Sequence, residues 1–538
     1  MNYLLPFLGL LLTFNSIAQR QVCGHQIHTP QGSELDYEPC ASASFRTKWM
    51  HRYHQNPAAY QHLKTPNSTT YLPISLHIVG NDDSTGYASL TAVLNAFCRV
   101  NQDYKNTGIQ FFIEYPIRYI ENTAFNDHDS VIIGGGFMLQ YNVPNTTNCY
   151  IVANPAGACG YNVLYGGLTV SQNCLTANTF SHELGHALGV QHTFFGWEGG
   201  HGYNGTALQN FPSPAPTEVL YDYTVYKDTM WGADTIIVDT TAVEYVSRTG
   251  PNANCNSAAD GFCDTPADYL AFRWSCNGSN MSTTQQLDPD SVAFYSEGIN
   301  IMSYSTCRSV FTTEQGQYMQ AFIQAKRSNH LYNQSPIVDS ISIANMALIE
   351  PAPNATLPTT VGSTFRWNKV DGATHYLLKI CAAPCTTPGH IMEEILLTDT
   401  VYTSPLSYAP RPSFLPYRWQ VLPFNQSYTC AGLTAPQSFN TQIATGLNDN
   451  AVINSFTIYP NPSQQGNNLT LEVQTSKATT GQLSLLSITG KTLLQEDWKL
   501  QQGVNQLNLP LTHLAAGVYL VYLEGINGKI IRKLVIEQ

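Results

Sequence analysis

Charge is scarce in this chain. Asp, Glu, Lys and Arg make up 12% of its 538 residues, about half the share of an average soluble protein. The 25 basic residues are outnumbered by 37 acidic ones, giving a formal net charge of −12. Binding a nucleic acid requires a basic surface to neutralise phosphates, so that class of partner is excluded. Long apolar runs are missing as well. After the first residues none reaches the roughly 18 residues of a membrane-spanning helix, so no transmembrane anchor is expected. The early run from Leu4 to Phe14 is too short to span a bilayer. With Ser16-Ile17-Ala18 supplying small residues at a cleavage site, it predicts a signal peptide over residues 1–18, although no Lys or Arg precedes the run. Arg20-Gln21-Val22 before Cys23 is not a lipobox. What the chain has instead is abundant Thr, Ser, Asn, Gln and Tyr with 43% hydrophobic residues. That profile suits secreted β-rich modules, and the length suggests about three or four domains.

Thr179 to His192 contains H-E-x-x-H-x-x-G-x-x-H. Residues four apart share a helix face, so His182 and His186 can offer imidazoles to one metal ion, with Glu183 beside them. Gly189 can take a positive φ that ends the helix and brings His192 round as a third ligand. Three neutral imidazoles suit zinc and leave a position open for water, as in a catalytic site. Glu183 is placed to take a proton from that water and pass it to a leaving amine. The chemistry implied is hydrolysis of a carbonyl substrate, foremost a peptide bond.

Asn300-Ile301-Met302-Ser303-Tyr304 follows in the order and at the distance of a Met-turn, in which a methionine forms an apolar floor under the ligands. With Thr193-Phe194, Asp260-Gly261-Phe262-Cys263-Asp264-Thr265-Pro266-Ala267, Cys307, and Phe311-Thr312-Thr313-Glu314-Gln315 before Met319, the series from about residue 70 to 325 resembles the bacterial branch of the pappalysin family of metzincins. The resemblance implies an α/β catalytic domain with a twisted sheet above the active-site helix, zinc as cofactor, and endopeptidase activity. It implies that Tyr304 stabilises an oxyanion, and that calcium binds near the D-T-P segment, with Asp260, Asp264 and Thr265 as candidates. These supply only part of the six to eight oxygens, roughly, that calcium takes, and a solvated turn is the alternative. The tract between His192 and Asp260, with Gly199-Gly200-His201-Gly202, Tyr221-Asp222-Tyr223 and Trp231, is longer than a minimal family member needs. His201, in a Gly-rich turn, is expected in solvent rather than on metal. After the Met-turn, Ser305, Thr306 and Arg308 include no acid, so a preference for basic substrates is not assumed.

Thirteen cysteines, eight of them from Cys98 to Cys307, agree with an oxidising compartment, and the odd total leaves at least one unpaired. Cys23-Gly24 resembles a cysteine switch, in which a thiolate takes zinc's open position in a zymogen; a Cys23–Cys40 disulfide is the alternative. Residues 19–65 read as a propeptide without clear periodicity. In the catalytic segment, 66–335, Leu72 to Ile78, Ile109 to Glu114 and Tyr150 to Ala153 read as strands. Leu90, Val93, Leu94 and Phe97 recur at helical spacing.

Beyond residue 335 short strands separated by Pro, Gly, Ser and Thr signal β-sandwiches. Residues 340–445, with Phe365-Arg366-Trp367, Tyr376 to Ile380 and Tyr417 to Val421, resemble a fibronectin-type-III-like domain whose aromatics belong to its core. Residues 448–538, from Tyr459-Pro460-Asn461-Pro462 to Lys533-Leu534-Val535, resemble the C-terminal sorting domain of type IX secretion. The expected architecture is therefore an α/β metzincin-like catalytic domain followed by two all-β sandwich domains. The expected function is a secreted zinc endopeptidase acting on extracellular proteins or peptides, made as a zymogen and exported by the type IX machinery. The alternatives are a surface adhesive or binding protein with an inactive metzincin domain, and an esterase or amidase on the same zinc site.

Overall fold

The computed structural model describes residues 48–63, 69–163, 166–197, 214–222, 238–358, 362–382, 385, 390–410, 415–442, 452–487, 491–511, 514–525 and 528–537. The chain forms two compact units, one reaching to Val338 and including Gln426–Thr429, the other holding Asp339–Asn425 and Cys430 onward.

The first unit is α/β. It begins with helix α1 (Lys48–Gln55), then strand β1 (Thr70–Gly80), helix α2 (Leu90–Asp103), and strands β2 (Ile109–Ile113) and β3 (Arg118–Glu121). Helix α3 (Val131–Tyr141) precedes strands β4 (Thr147–Val152), β5 (Gly160–Val163) and β6 (Gly167–Ser171). Helices α4 (Thr179–Ala187) and α5 (Thr313–Lys326) complete the framework. The sheet order is β2-β1-β4-β6-β5, with β3 also on β1. All pairings are parallel except β5 on β6. Strand β1 is central and buried along nearly its whole length, as expected where helices cover both faces of a parallel sheet. Helix α2 buries Leu90, Val93, Leu94, Phe97 and Val100, the stripe its periodicity predicts. Helix α3, apolar all round and interrupted by three glycines, gave no comparable signal.

One sequence expectation changes here. Part of the tract read as an aperiodic propeptide, Lys48–Leu63, is a helix and a 3-10 turn. Trp49 and Tyr53, one turn apart on α1, are buried. Both rings meet Tyr318 of α5, and Trp49 also meets Phe322. The spacing i, i+4 was present in the sequence, but one short turn is too little for a periodicity to stand out. The segment Phe311 to Gln315, quoted for the family resemblance, also has a local structural role. It is the start of α5: Thr312 Oγ accepts from Gln315 N and the Gln315 side chain accepts from Thr312 N, a capping box.

In the second unit, Leu348–Glu350, Thr364–Trp367 and Val401–Thr403 form one sheet. Ala355–Pro358, Gln437–Gln442, Tyr417–Phe424, His375–Cys381 and Ile391–Leu397 form another. Trp367, Trp419 and Phe365 are buried, so the aromatics are core. The C-terminal residues form a three-stranded and a five-stranded sheet around Leu469, Leu471, Val473, Leu483 and Leu485, the alternating set of the sequence. The chain is thus multidomain and mostly β-sandwich, with its main helices in the first unit. Disulfides join Cys159 to Cys174, Cys255 to Cys263, Cys276 to Cys307 and Cys381 to Cys385. Cys149 is free and buried.

Replacing Trp49 by Ala should cost about 3–5 kcal/mol of first-unit stability, measured by urea unfolding; an unchanged midpoint would mean that α1 is peripheral. His77 in β1 offers a pH test. Its Nε2 lies 3.0 Å from Asn148 Oδ1, its ring stacks on Tyr150, and burial lowers its pKa to about 4. A lowered folded value means that the neutral ring's contribution is complete above the unfolded pKa of about 6.5 and is lost as pH falls toward the folded value. Relative to His77→Gln, the parent should lose up to about 3 kcal/mol between pH 7 and pH 4. Parallel pH profiles for the two proteins would contradict this.

Candidate metal centre

Helix α4 carries the central motif, and every one of its residues is buried. Its start is held from α2. Tyr104 Oη donates to the Ser181 carbonyl at 3.0 Å, and Asp103 Oδ2 accepts from Asn178 Nδ2 at 2.9 Å and Ser181 Oγ at 2.5 Å. A carboxylate at a helix N-terminus also meets the positive end of the dipole. At the other end Gly189 has φ +84°, and the Val190 N–H turns back to the Gly185 carbonyl at 2.9 Å. A Cβ on Gly189 would lie 2.8 Å from Tyr318 Oη, so both conformation and space require glycine there. This turn delivers His192 to the face shared by His182 and His186.

The three imidazoles converge. His186 Nε2 lies 3.1 Å from Nε2 of His182 and 3.1 Å from Nε2 of His192. The opposite ring nitrogens of two of them are engaged: His182 Nδ1 lies 2.8 Å from the Ile301 carbonyl, and His186 Nδ1 lies 2.8 Å from the Val190 carbonyl. A carbonyl only accepts, so these Nδ1 atoms carry protons and their Nε2 atoms present lone pairs. Burial first, and then neighbouring charge, pushes all three rings below the ordinary histidine range, His192 to about 3. Neutral imidazoles with lone pairs turned toward one another repel unless a cation lies among them. Tetrahedral zinc, with Zn–N about 2.0–2.1 Å, needs its ligand nitrogens about 3.3 Å apart, so this donor set fits zinc. Among the described residues, this triad is the gathering of His, Cys, Asp and Glu side chains able to hold a metal.

The Asn300–Tyr304 turn lies against this cluster. Asn300 Oδ1 accepts from Met302 N at 2.9 Å, and the Asn300 carbonyl accepts from Ser303 N at 3.1 Å. Met302 is fully buried, and a Cβ on Gly185 would stand 2.5 Å from its Sδ, so the methionine packs directly on α4. The half-buried Tyr304 ring lies 4.9 Å from His192 and 4.7 Å from Phe194, centroid to centroid. Glu183 is buried beneath β5, where a Cβ on Gly160 would lie 2.9 Å from its Cγ. Burial pushes the Glu183 carboxyl up to about 8, opposed by the Arg308 charge.

Two residues beyond those read from sequence shape the site. Arg308, considered only for specificity, sends Nη1 to the Ser303 carbonyl and within 3.3 Å of His182 Nδ1. Asp268, buried, accepts from Thr193 Oγ at 2.7 Å and so fixes the residue after His192. Neither contact was legible in the sequence, because each side chain reaches the site from a distant segment.

Of the calcium candidates, Asp260 and Thr265 meet, while Asp264 faces another element. Asp260 is buried, and its Oδ1 accepts from Phe262 N and Thr265 Oγ. Asp264 is exposed and its Oδ2 accepts from Glu314 N at the start of α5. The Thr265 carbonyl accepts from Arg248. These residues build a turn and a helix start. Cys23, Cys40, His201, Tyr223 and Trp231, with residues 1–18 expected to form a signal peptide, lie outside the described residues.

Residues 457–537 match the family described as the secretion system C-terminal sorting domain. The protein is therefore secreted or attached to the cell surface, through the type IX secretion machinery that this tail addresses. Among the described residues no helix is long and apolar enough to cross a membrane. No curated protein matches the chain. Among solved structures it is similar to the fibronectin(III)-like modules of CbhA from Clostridium thermocellum, at 6% identity over 36% of this chain and 92% of that one, with a TM-score of 0.15. It is also similar to the FN1-FN3 domains of chicken CNTN1, at 11% identity over 36% and 67%, TM-score 0.14. A third is the alpha-L-rhamnosidase from Dictyoglumus thermophilum, at 12% identity over 38% and 29%, TM-score 0.16. Scores this low carry no argument about the histidine site.

Gly185→Ala places a methyl group against Met302 Sδ and should cost about 1–3 kcal/mol through overpacking. Thermal unfolding checks this, and parental stability would show that the contact yields.

Proposed function

We propose that the chain is a secreted zinc-dependent endopeptidase of the metzincin type, akin to the bacterial pappalysins, made as a zymogen. The observation that carries the proposal is the convergence of three neutral imidazole nitrogens beside a buried glutamate. His182, His186 and His192 would hold the zinc ion, which when bound polarises a water and a substrate carbonyl. The work of the chain's own groups follows from position. A cation held by the histidines would draw the burial-raised Glu183 carboxyl back down, and the carboxylate, kept from bulk solvent by β5, would then take a proton from the attacking water and return it to the leaving amine. The Tyr304 hydroxyl donates to the carbonyl oxygen as negative charge develops there. Strand β5 is the antiparallel end strand of the sheet and passes directly over Glu183, which suits an extended peptide laid beside it. Latency by a Cys23 thiolate at the zinc is the companion proposal, and Cys23→Ser would then be active without processing.

The test uses the full chain after the signal peptide, loaded with zinc, on a denatured protein and a peptide library before and after limited proteolysis. Cleavage should appear on processing. Glu183→Ala should retain one zinc and lose at least about 100-fold in kcat/KM. Stoichiometric zinc without peptide cleavage by any processed form would instead favour an adhesive module or an esterase, the latter separated by a panel of ester substrates.

A further inference from the structure

A cavity of about 220 Å³ lies at the end of α4 that carries Ala187. Its wall is built from the start of β4, the end of β5, the start of β6 and the turn Ser328–His330 that follows α5. Most of the lining residues are polar, and no Asp or Glu is among them. The frame is held by its own hydrogen bonds. Asn148 Oδ1 accepts from Val143 N at 2.8 Å and its Nδ2 donates to the Val143 carbonyl at 3.0 Å, which pins the loop before β4. Asn329 Nδ2 donates to Asn145 Oδ1 at 3.1 Å and ties that loop to the turn after α5.

Three side chains of the wall are buried and keep polar atoms that no described residue satisfies. Thr147 is 8% exposed, Asn162 4% and His330 7%. The Thr147 hydroxyl and the His330 ring make no hydrogen bond to a described residue. Asn162 Nδ2 donates to the Gly167 carbonyl at 3.2 Å, which leaves its Oδ1 as an acceptor for another group. Buried polar groups are ordinarily paired, so three of them in one wall point to a ligand.

The chemistry of the wall selects that ligand. Asn162 Oδ1 only accepts, so the ligand must donate there. The Thr147 hydroxyl can do either. The His330 ring, lowered by burial and then by the Arg327 charge to a pKa of about 4, is neutral and offers one donor and one acceptor. Arg327 brings a guanidinium, whose planar fork suits a carboxylate. An amine would meet no acid here, and a bare inorganic anion brings too few donors. At about 30 Å³ per water the space equals about seven waters, the size of one sugar ring with its substituents. We infer that this cavity binds a polyhydroxylated carboxylate, with the carboxylate at Arg327 and hydroxyls on Thr147, Asn162 and His330. Outside the cell such groups come as uronic acid units of glycans or as free sugar acids. None of His182, His186 and His192 lines the cavity, so the inference stands whether or not the triad binds zinc.

The test titrates the full chain by calorimetry with glucuronate, its methyl glycoside, gluconate, glucose and inorganic phosphate. A ligand of this size should bind with Kd on the order of 1 mM. Glucuronate should bind at least about 10-fold more tightly than glucose, the difference that a charge-assisted hydrogen bond makes. Arg327→Gln should remove that difference. Thr147→Val, which keeps the shape and loses the hydroxyl, should weaken glucuronate by about 5-fold. The methyl glycoside binding as well as glucuronate, with gluconate weaker, would assign the site to a glycan unit; the reverse order would assign it to a free sugar acid. Three results would overturn the inference: no saturable binding of either carboxylate up to about 20 mM, phosphate bound more tightly than glucuronate, or glucuronate bound equally well by both variants and the parent. Should Arg327→Gln not fold, Thr147→Val and the parent's preference for glucuronate over glucose still decide it.

Discussion

Two hydrogen bonds from imidazole to backbone set the geometry of the histidine cluster in the first unit. His182 Nδ1 to the Ile301 carbonyl and His186 Nδ1 to the Val190 carbonyl fix which ring nitrogen holds the proton. They thereby turn the remaining lone pairs to one point. Each carbonyl is set by a different part of the fold: Val190 by the reversal at Gly189, Ile301 by the turn that Asn300 closes. Such outer partners orient ligands and raise their basicity. The dense packing around them, with Met302 against Gly185 and Tyr318 against Gly189, leaves the helix and the turn little freedom to move apart.

The parts of this arrangement that were legible in the sequence are those fixed locally. A 3.6-residue period places His182 and His186 on one face, and a turn reversing at a positive φ demands Gly189. The alternation of Leu469, Leu471 and Val473 gave the C-terminal sheet in the same way. What could not be read is what depends on distant chain segments meeting. Ile301 and Val190 act through backbone carbonyls, so their side chains carry no sign of the role. Asp103, Asp268 and Arg308 reach α4 and the histidines from other elements. Asp260, Asp264 and Thr265 suggested an oxygen cage because composition reveals donor type and not direction. In the fold, one acid turns inward and the other caps α5.

Export and stability belong to one setting. The sorting tail addresses the chain to the secretion machinery, and the sparse charge and the disulfides suit a protein outside the cell. Cys276–Cys307 closes the segment that contains the Asn300–Tyr304 turn, and Cys255–Cys263 closes the loop before Asp268. Cross-links beside both supports of the histidine cluster limit local opening where the site can least tolerate it.

The measurement that bears most directly on the central claim is X-ray absorption at the zinc edge of the zinc-loaded, processed chain. The account predicts one zinc with three imidazole nitrogens at about 2.0–2.1 Å and an oxygen from water completing the shell, with the imidazole scattering reduced in His192→Ala. Sulfur in the shell of the processed protein, fewer than three imidazoles, or no bound zinc would contradict it.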